Sequence, residues 1–183
     1  MHRILMIVAL LGVFVVGSVA SVTAQDATPE APQAGPAGDA AGGGDPAVGE
    51  AAIYINEQGE EAAQVTIEEV IDPFEDYDEG DGPDRGYRFV ALRITVEATG
   101  EDAVDVSAFD FLLQDSQGFL WNDTLVFRAE EQEEADPEME DANLAPGDSV
   151  SGLLFYTLYA DNDVDHIFWQ PESGRLITVA KVS

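Results

Sequence analysis

The stretch Tyr87-Arg88-Phe89-Val90-Ala91-Leu92-Arg93-Ile94-Thr95-Val96 decides the fold. In an extended chain Val90, Leu92, Ile94 and Val96 point to one face, with Arg88 opening that face, while Phe89, Ala91, Arg93 and Thr95 take the other. A helix would scatter these residues around its axis. The alternation predicts a half-buried antiparallel strand, which β-branched and aromatic side chains suit.

Working outward, further short strands are expected at residues 53–55, 65–71, 119–121, 150–159, 166–169 and 176–182. One more is expected at 109–114, with Phe109, Phe111 and Leu113 aligned on one face. Turn chemistry separates them. Asn56-Glu57-Gln58-Gly59 closes a first hairpin, Thr99-Gly100-Glu101-Asp102 ends the long strand, Asp115-Ser116-Gln117-Gly118 makes a tight turn, and Pro146-Gly147-Asp148 precedes the strand from Val150. Short strands with regularly spaced turn signals are the mark of an all-β sandwich or barrel. A helical period is visible only at residues 129–140. There Pro137 and the crowding of like charges argue against a stable helix, so the acidic run Glu130 to Asp141 is expected as a mobile loop.

Several of these residues carry a resemblance. Residues 87–96 followed by Gly100-Glu101, then Val104-Asp105-Val106, Phe109-x-Phe111-x-Leu113-x-Asp115-Ser116-x-Gly118, Leu144-x-Pro146-Gly147 and Gly152-Leu153-Leu154-Phe155 are similar to a family of bacterial secreted, telokin-like, immunoglobulin-related domains of unknown function, to which a small mycobacterial secreted immunoprotective antigen is also similar. The resemblance covers about residues 65–181. It implies an immunoglobulin-like antiparallel β-sandwich of seven or eight strands in an exported, often surface-tethered protein, with no catalytic residues to carry over.

Charge removes other functions. Seven Lys and Arg stand against 37 Asp and Glu, a formal net charge of −30, so a nucleic-acid backbone would be repelled. With 45% hydrophobic residues the chain still has a core to bury, and the acids belong on a folded surface. Such a surface suits a cationic partner, a cell-wall component or divalent ions; it is also what a salt-rich habitat favours, since dense carboxylates keep a protein hydrated. The absence of cysteine excludes disulfides, thiolate metal sites and the lipidated cysteine of a bacterial lipoprotein.

Residues 1–24 read as a signal peptide: Arg3 supplies the positive start, Ile4 to Val16 is apolar apart from glycine, and Val22-Thr23-Ala24 places small residues at a cleavage site. The alternative is an uncleaved anchor, the one route by which this chain would meet a membrane. Residues 25–50 are expected to be a disordered linker, since 17 of the 25 positions from Asp26 to Glu50 are Ala, Gly or Pro. The folded domain is then 51–183, outside the cell or on its surface.

No catalytic set stands out. Gly147-Asp148-Ser149 resembles the nucleophile signature of some serine hydrolases, and Asp163 and His166 mimic their acid and base. Their order and context are nevertheless those of no such enzyme. For cations, Ca²⁺ wants six to eight oxygens from a flexible loop. The acidic stretch from Asp72 to Asp84 offers Asp76, Asp78 and Asp81 as candidate ligands at the millimolar affinity of extracellular sites. Asp161-x-Asp163-x-Asp165, with Glu172 at the twelfth position, imitates an EF-hand but has His166 where the sharp-turn glycine belongs. Trp121, Trp169, Tyr156 and Tyr159 would suit sugar stacking, although four aromatics on sandwich strands are usually core. Asn122-Asp123-Thr124 matches a glycosylation sequon. The reading is a secreted or surface-tethered, non-enzymatic interaction module without a cofactor. The alternative is a calcium- or carbohydrate-binding module, and a hydrolase comes third.

Overall fold

The computed structural model describes residues 44–128, 130–172 and 174–183. The expected signal peptide and the expected linker as far as residue 43 lie outside the described residues. In chain order the strands are β1 (Ala51–Ile55), β2 (Glu61–Phe74), β3 (Tyr87–Ala98), β4 (Val104–Val106), β5 (Phe111–Asp115), β6 (Leu120–Asn122), β7 (Ala142–Leu144), β8 (Ser149–Tyr159), β9 (Val164–Glu172) and β10 (Arg175–Lys181). Among the described residues a 3₁₀ turn, Ala108–Asp110, precedes β5, and a short helix, α1 (Glu130–Ala135), follows β6. Among the described residues no helix is long and apolar enough to cross a membrane.

Eight strands form the expected sandwich as two four-stranded sheets, ordered β1-β2-β3-β8 and β10-β9-β5-β6, and β4 pairs with β7 as a small third sheet. Every pair of strands is antiparallel. The inner face of β3 is the one the alternation selects: Val90, Leu92, Ile94 and Val96 are all fully buried. They share one core with Val65 and Ile67 of β2, Leu154 and Tyr156 of β8, and Phe111, Leu113, Ile167 and Trp169 of the opposite sheet. Trp169 is stacked on Phe111 at 5.9 Å and met edge-on by Tyr54 at 5.3 Å.

The other face of β3 departs from the half-buried expectation. Phe89 and Ala91 are buried there with Phe74, Val126, Leu153 and Phe155 in a second apolar cluster. Two irregularities in β2 build it. The β2–β3 register slips between Ile67 and Glu69, which keeps Val70 opposite Leu92. It slips again between Ile71 and Phe74, which sets Phe74 opposite Phe89.

The chain after β6 covers this cluster, so the acidic run is not the mobile loop its charge suggests. Residues 123–128 and 130–139 run along the free edge of β8, where Thr124 N–H donates to Phe155 O (2.7 Å), Leu153 N–H to Pro137 O (2.9 Å) and Met139 N–H to Leu153 O (3.0 Å). A strap results, carrying α1, which stops before Pro137 because proline cannot continue the hydrogen-bond ladder. Two arginines, Arg93 of β3 and Arg128 of the strap itself, tie it down. Arg93 holds Asp136 through both guanidinium arms, which pulls the Asp136 pKa below its ordinary value. The buried Arg128 lies 4.9 Å over the Phe155 ring and donates to Asp136 O at 3.0 Å. Gly152 is where the strap's backbone comes closest: a Cβ there would sit 2.5 Å from Met139 N. Gly100 meets the same need at the other end, with a Cβ falling 2.7 Å from Glu61 O.

Several boundaries move: β2 runs from Glu61 to Phe74 and β9 from Val164 to Glu172, both longer than expected. Phe109 belongs to the 3₁₀ turn and is 73% exposed, so the aligned strand starts at Phe111. The last linker residues are part of the fold: Lys181 N–H donates to Pro46 O (2.7 Å), Gly49 N–H donates to Ile67 O (2.8 Å), and Val48 packs partly against the core.

An exposed aromatic strip as the candidate functional site

Asp115 ends β5 and is fully buried, a position where a carboxylate survives only if its oxygens are occupied. Four donors reach it. Gln117 N–H (3.0 Å) and Phe119 N–H (2.9 Å) bond one oxygen, while Trp121 Nε1 (3.0 Å) and Asn162 Nδ2 (2.8 Å) bond the other. Burial opposes the charge, the four hydrogen bonds outweigh it, and the pKa falls below the ordinary carboxylate value. Asp115 thereby fixes the β5–β6 turn, the Trp121 ring and the turn after β8 in one unit.

That unit presents aromatic side chains to solvent. Trp121 meets Tyr159 edge-on at 5.1 Å, Phe119 meets it at 6.1 Å, and Tyr159 stacks on Tyr87 at 5.0 Å, its cross-strand partner. On the strap, Val126 and Arg128 point inward, so Leu125 and Phe127 point out, at 66% and 56% exposure. Phe119, at 56%, and Tyr159, at 41%, complete a strip of large exposed hydrophobics. Tyr87 and Leu125 line one groove, which sets the strap's exposed side chains beside the aromatic group. Contiguous apolar surface of this kind marks an interaction site more often than scattered exposed residues do.

The other candidate residues do not come together. Ser149 opens β8 opposite Glu97, whereas Asp163 and His166 sit near the far end of that strand, roughly 30 Å of extended chain away. His166 instead pairs with Asp165 (3.0 Å) and lies 3.6 Å from Asp45. β9 stretches Asp165 and Glu172 apart along one strand, which removes the EF-hand count. Asp76, Asp78 and Asp81 lie on an exposed loop, where Asp76 accepts a bond from Gln132 and the Asp78 backbone bonds Phe127 O. Asp72 is taken by Arg88 (2.8 Å). Among the described residues no group of three or more acidic or histidine side chains is placed to hold a metal ion. Of the four aromatics singled out for stacking, Trp169 and Tyr156 are core, while Trp121 and Tyr159 belong to the strip. Sequence reasoning missed Tyr87, Phe119, Leu125 and Phe127 as site residues and Asp115 as their organiser. The one available signal was the aspartate opening the turn.

The family model for a domain of unknown function, DUF4352, matches residues 56–169. The chain belongs to this family. The DUF4352 match runs from the first hairpin into β9, so it includes Asp115, the β5–β6 turn, the strap and both tyrosines of the strip. Among solved structures, the secreted protein MPT63 of Mycobacterium tuberculosis is similar at a TM-score of 0.52 and 9% identity, over 74% of this chain and 94% of that one. The yjhA protein of Bacillus subtilis is similar at 0.52 and 19%, over 75% and 99%. A candidate lipoprotein of the same organism, ycdA, gives 0.49 and 20% over 64% of this chain, which spans only 35% of the ycdA chain. For MPT63 and yjhA the likeness shows the fold, and it agrees with the sandwich expected from the sequence. None of these neighbours is described as an enzyme. No curated protein matches.

Proposed function

We propose that this DUF4352 protein is an exported binding module that acts without covalent chemistry, and that the strip formed by Phe119, Tyr159, Tyr87, Leu125 and Phe127 is its recognition surface. The observation that carries this reading is the strip itself. A chain of net charge −30 has solubility to spare, yet it keeps large apolar side chains in solvent, one of them, Phe119, on the turn that the buried Asp115 carboxylate holds. Export is supported by Arg3, the apolar run that follows it and the Val22-Thr23-Ala24 tripeptide, with the mature chain starting at Gln25. The partner belongs to the outside of the cell: another protein or a component of the envelope.

The test is binding of the purified protein to the envelope fraction of the organism that makes it. The comparison is with a variant carrying Phe119→Ser, Leu125→Ser and Phe127→Ser, whose exposed positions leave the fold intact. The expected result is binding by the parent, loss in the variant and matching thermal melts. Equal binding by both proteins would overturn the strip as the recognition surface.

A further inference from the structure

Between the turn at Gly82 and Pro83 and the strap residue Leu125 lies a groove of about 370 Å³. Tyr87, Phe89 and Thr157 line it from the sheet, and Asp84 lines it from the turn before β3. It opens beside the Tyr87–Tyr159 stack. Apolar walls, a tyrosine ring and one carboxylate make a combination with a chemical preference. A wholly apolar side chain would desolvate Asp84 without compensating it, and an anionic one would meet the carboxylate directly. A long side chain with a methylene stem and a positive head satisfies both parts.

The field of the whole protein points the same way. Of the six basic residues among the described residues, four are tied into the fold: Arg88 to Asp72, Arg93 to Asp136, Arg128 over Phe155, and Arg175 to Ile55 O and the Tyr54 ring. The acidic surface is therefore largely uncompensated. It would repel a second copy of the chain or an anionic membrane and attract a basic segment.

We infer that the groove between Pro83 and Leu125 receives a Lys or Arg side chain from an extended basic segment of a partner protein, its stem on Phe89 and Leu125 and its charged head between the Tyr87 ring and Asp84. This inference rests on the strip being the recognition surface and names what that surface takes.

The test is a nuclear magnetic resonance titration of the full chain, nitrogen-labelled, with a synthetic peptide of alternating Arg and Leu. Control titrations use the same peptide with Gln in place of Arg, and a chitin-derived oligosaccharide. The Arg peptide is expected to shift the amides of Asp84, Tyr87, Phe89 and Leu125 to saturation, and the Gln peptide and the sugar are not. Asp84→Asn and Leu125→Ser, both at exposed positions, should each weaken binding by about three- to tenfold with unchanged melts. If the Gln peptide or the sugar shifts the same amides equally, the groove stays a recognition site and the cationic occupant is wrong. Shifts with the Arg peptide spread over the acidic surface and indifferent to Asp84→Asn would overturn the groove, as would no shift in it. Concentration-dependent dimerisation through these residues would make the occupant a second copy and overturn the inference. Envelope binding lost in the strip variant would survive any of these results, so the two readings fail separately.

Discussion

Asp115 shows how one side chain couples stability to the site. Replacing it with Asn keeps the shape but turns one acceptor oxygen into a donor facing the Trp121 or Asn162 N–H groups. A buried donor left without an acceptor costs about 1–3 kcal/mol, and more where the lost partner was charged. Asp115→Asn should therefore lower the midpoint of urea unfolding and blue- or red-shift the emission of Trp121, which loses its anchor. The pH dependence has a definite sign. The folded-state pKa of Asp115 is depressed, so its contribution is complete above the ordinary value of 3.8 and is lost as the pH falls through the folded-state value. Acid titration of stability should show that loss in the parent and lack it in Asp115→Asn. The turn Asp115-Ser116-Gln117-Gly118 was legible because its chemistry is local, and Gly118 N–H does bond Asp115 O at 2.8 Å. The carboxylate's larger role was not, since Asn162 lies 47 residues away and only the fold brings it near.

At the level of elements, β3 and the strap divide what sequence can and cannot reveal. The period-two pattern of β3 identified its inner face because every residue there meets the same core. Its outer face read as solvent-exposed, and half of it is buried, because the covering strap lies some thirty residues downstream and looks, by composition, like a solvated acidic loop. Arg93 and Arg128 overturn that appearance, and neither pairing has a sequence signature. The consequence is measurable. Leu92→Asp buries an unpaired charge in the main core and Phe89→Asp does so in the second cluster, so each should cost several kcal/mol of a total of about 5–15. Thr95→Asp, at a half-exposed position beside Glu68, should cost well under half as much. Circular dichroism melts in which Phe89→Asp behaves like Thr95→Asp would show that the strap does not seal the outer face.

For the whole molecule the all-β class was readable because it rests on periodicity and turn residues repeated along the chain, and the sandwich and its family were readable from the motifs that carry the resemblance. The site was not, because it is made of exposed side chains from β3, the β5–β6 turn, the strap and the end of β8, which meet only after folding. Charge spread this evenly acts as a field. With no ligand set gathered among the described residues, millimolar CaCl₂ and ionic-strength-matched NaCl should raise the melting temperature equally, by screening alone. A larger calcium shift, abolished by changing Asp76, Asp78 and Asp81 together to Asn, would instead restore the acidic loop as a cation site.

The central claim, that the aromatic strip is the surface by which the protein is held at its place of work, is most directly tested by hydroxyl-radical footprinting on intact cells against the purified protein in solution. Phe109, 73% exposed and on the turn before β5, serves as the internal reference because it lies outside the strip. Phe119, Leu125, Phe127 and Tyr159 should be protected on cells while Phe109 is labelled equally in both states. Equal labelling of all five residues in the two states would contradict the account.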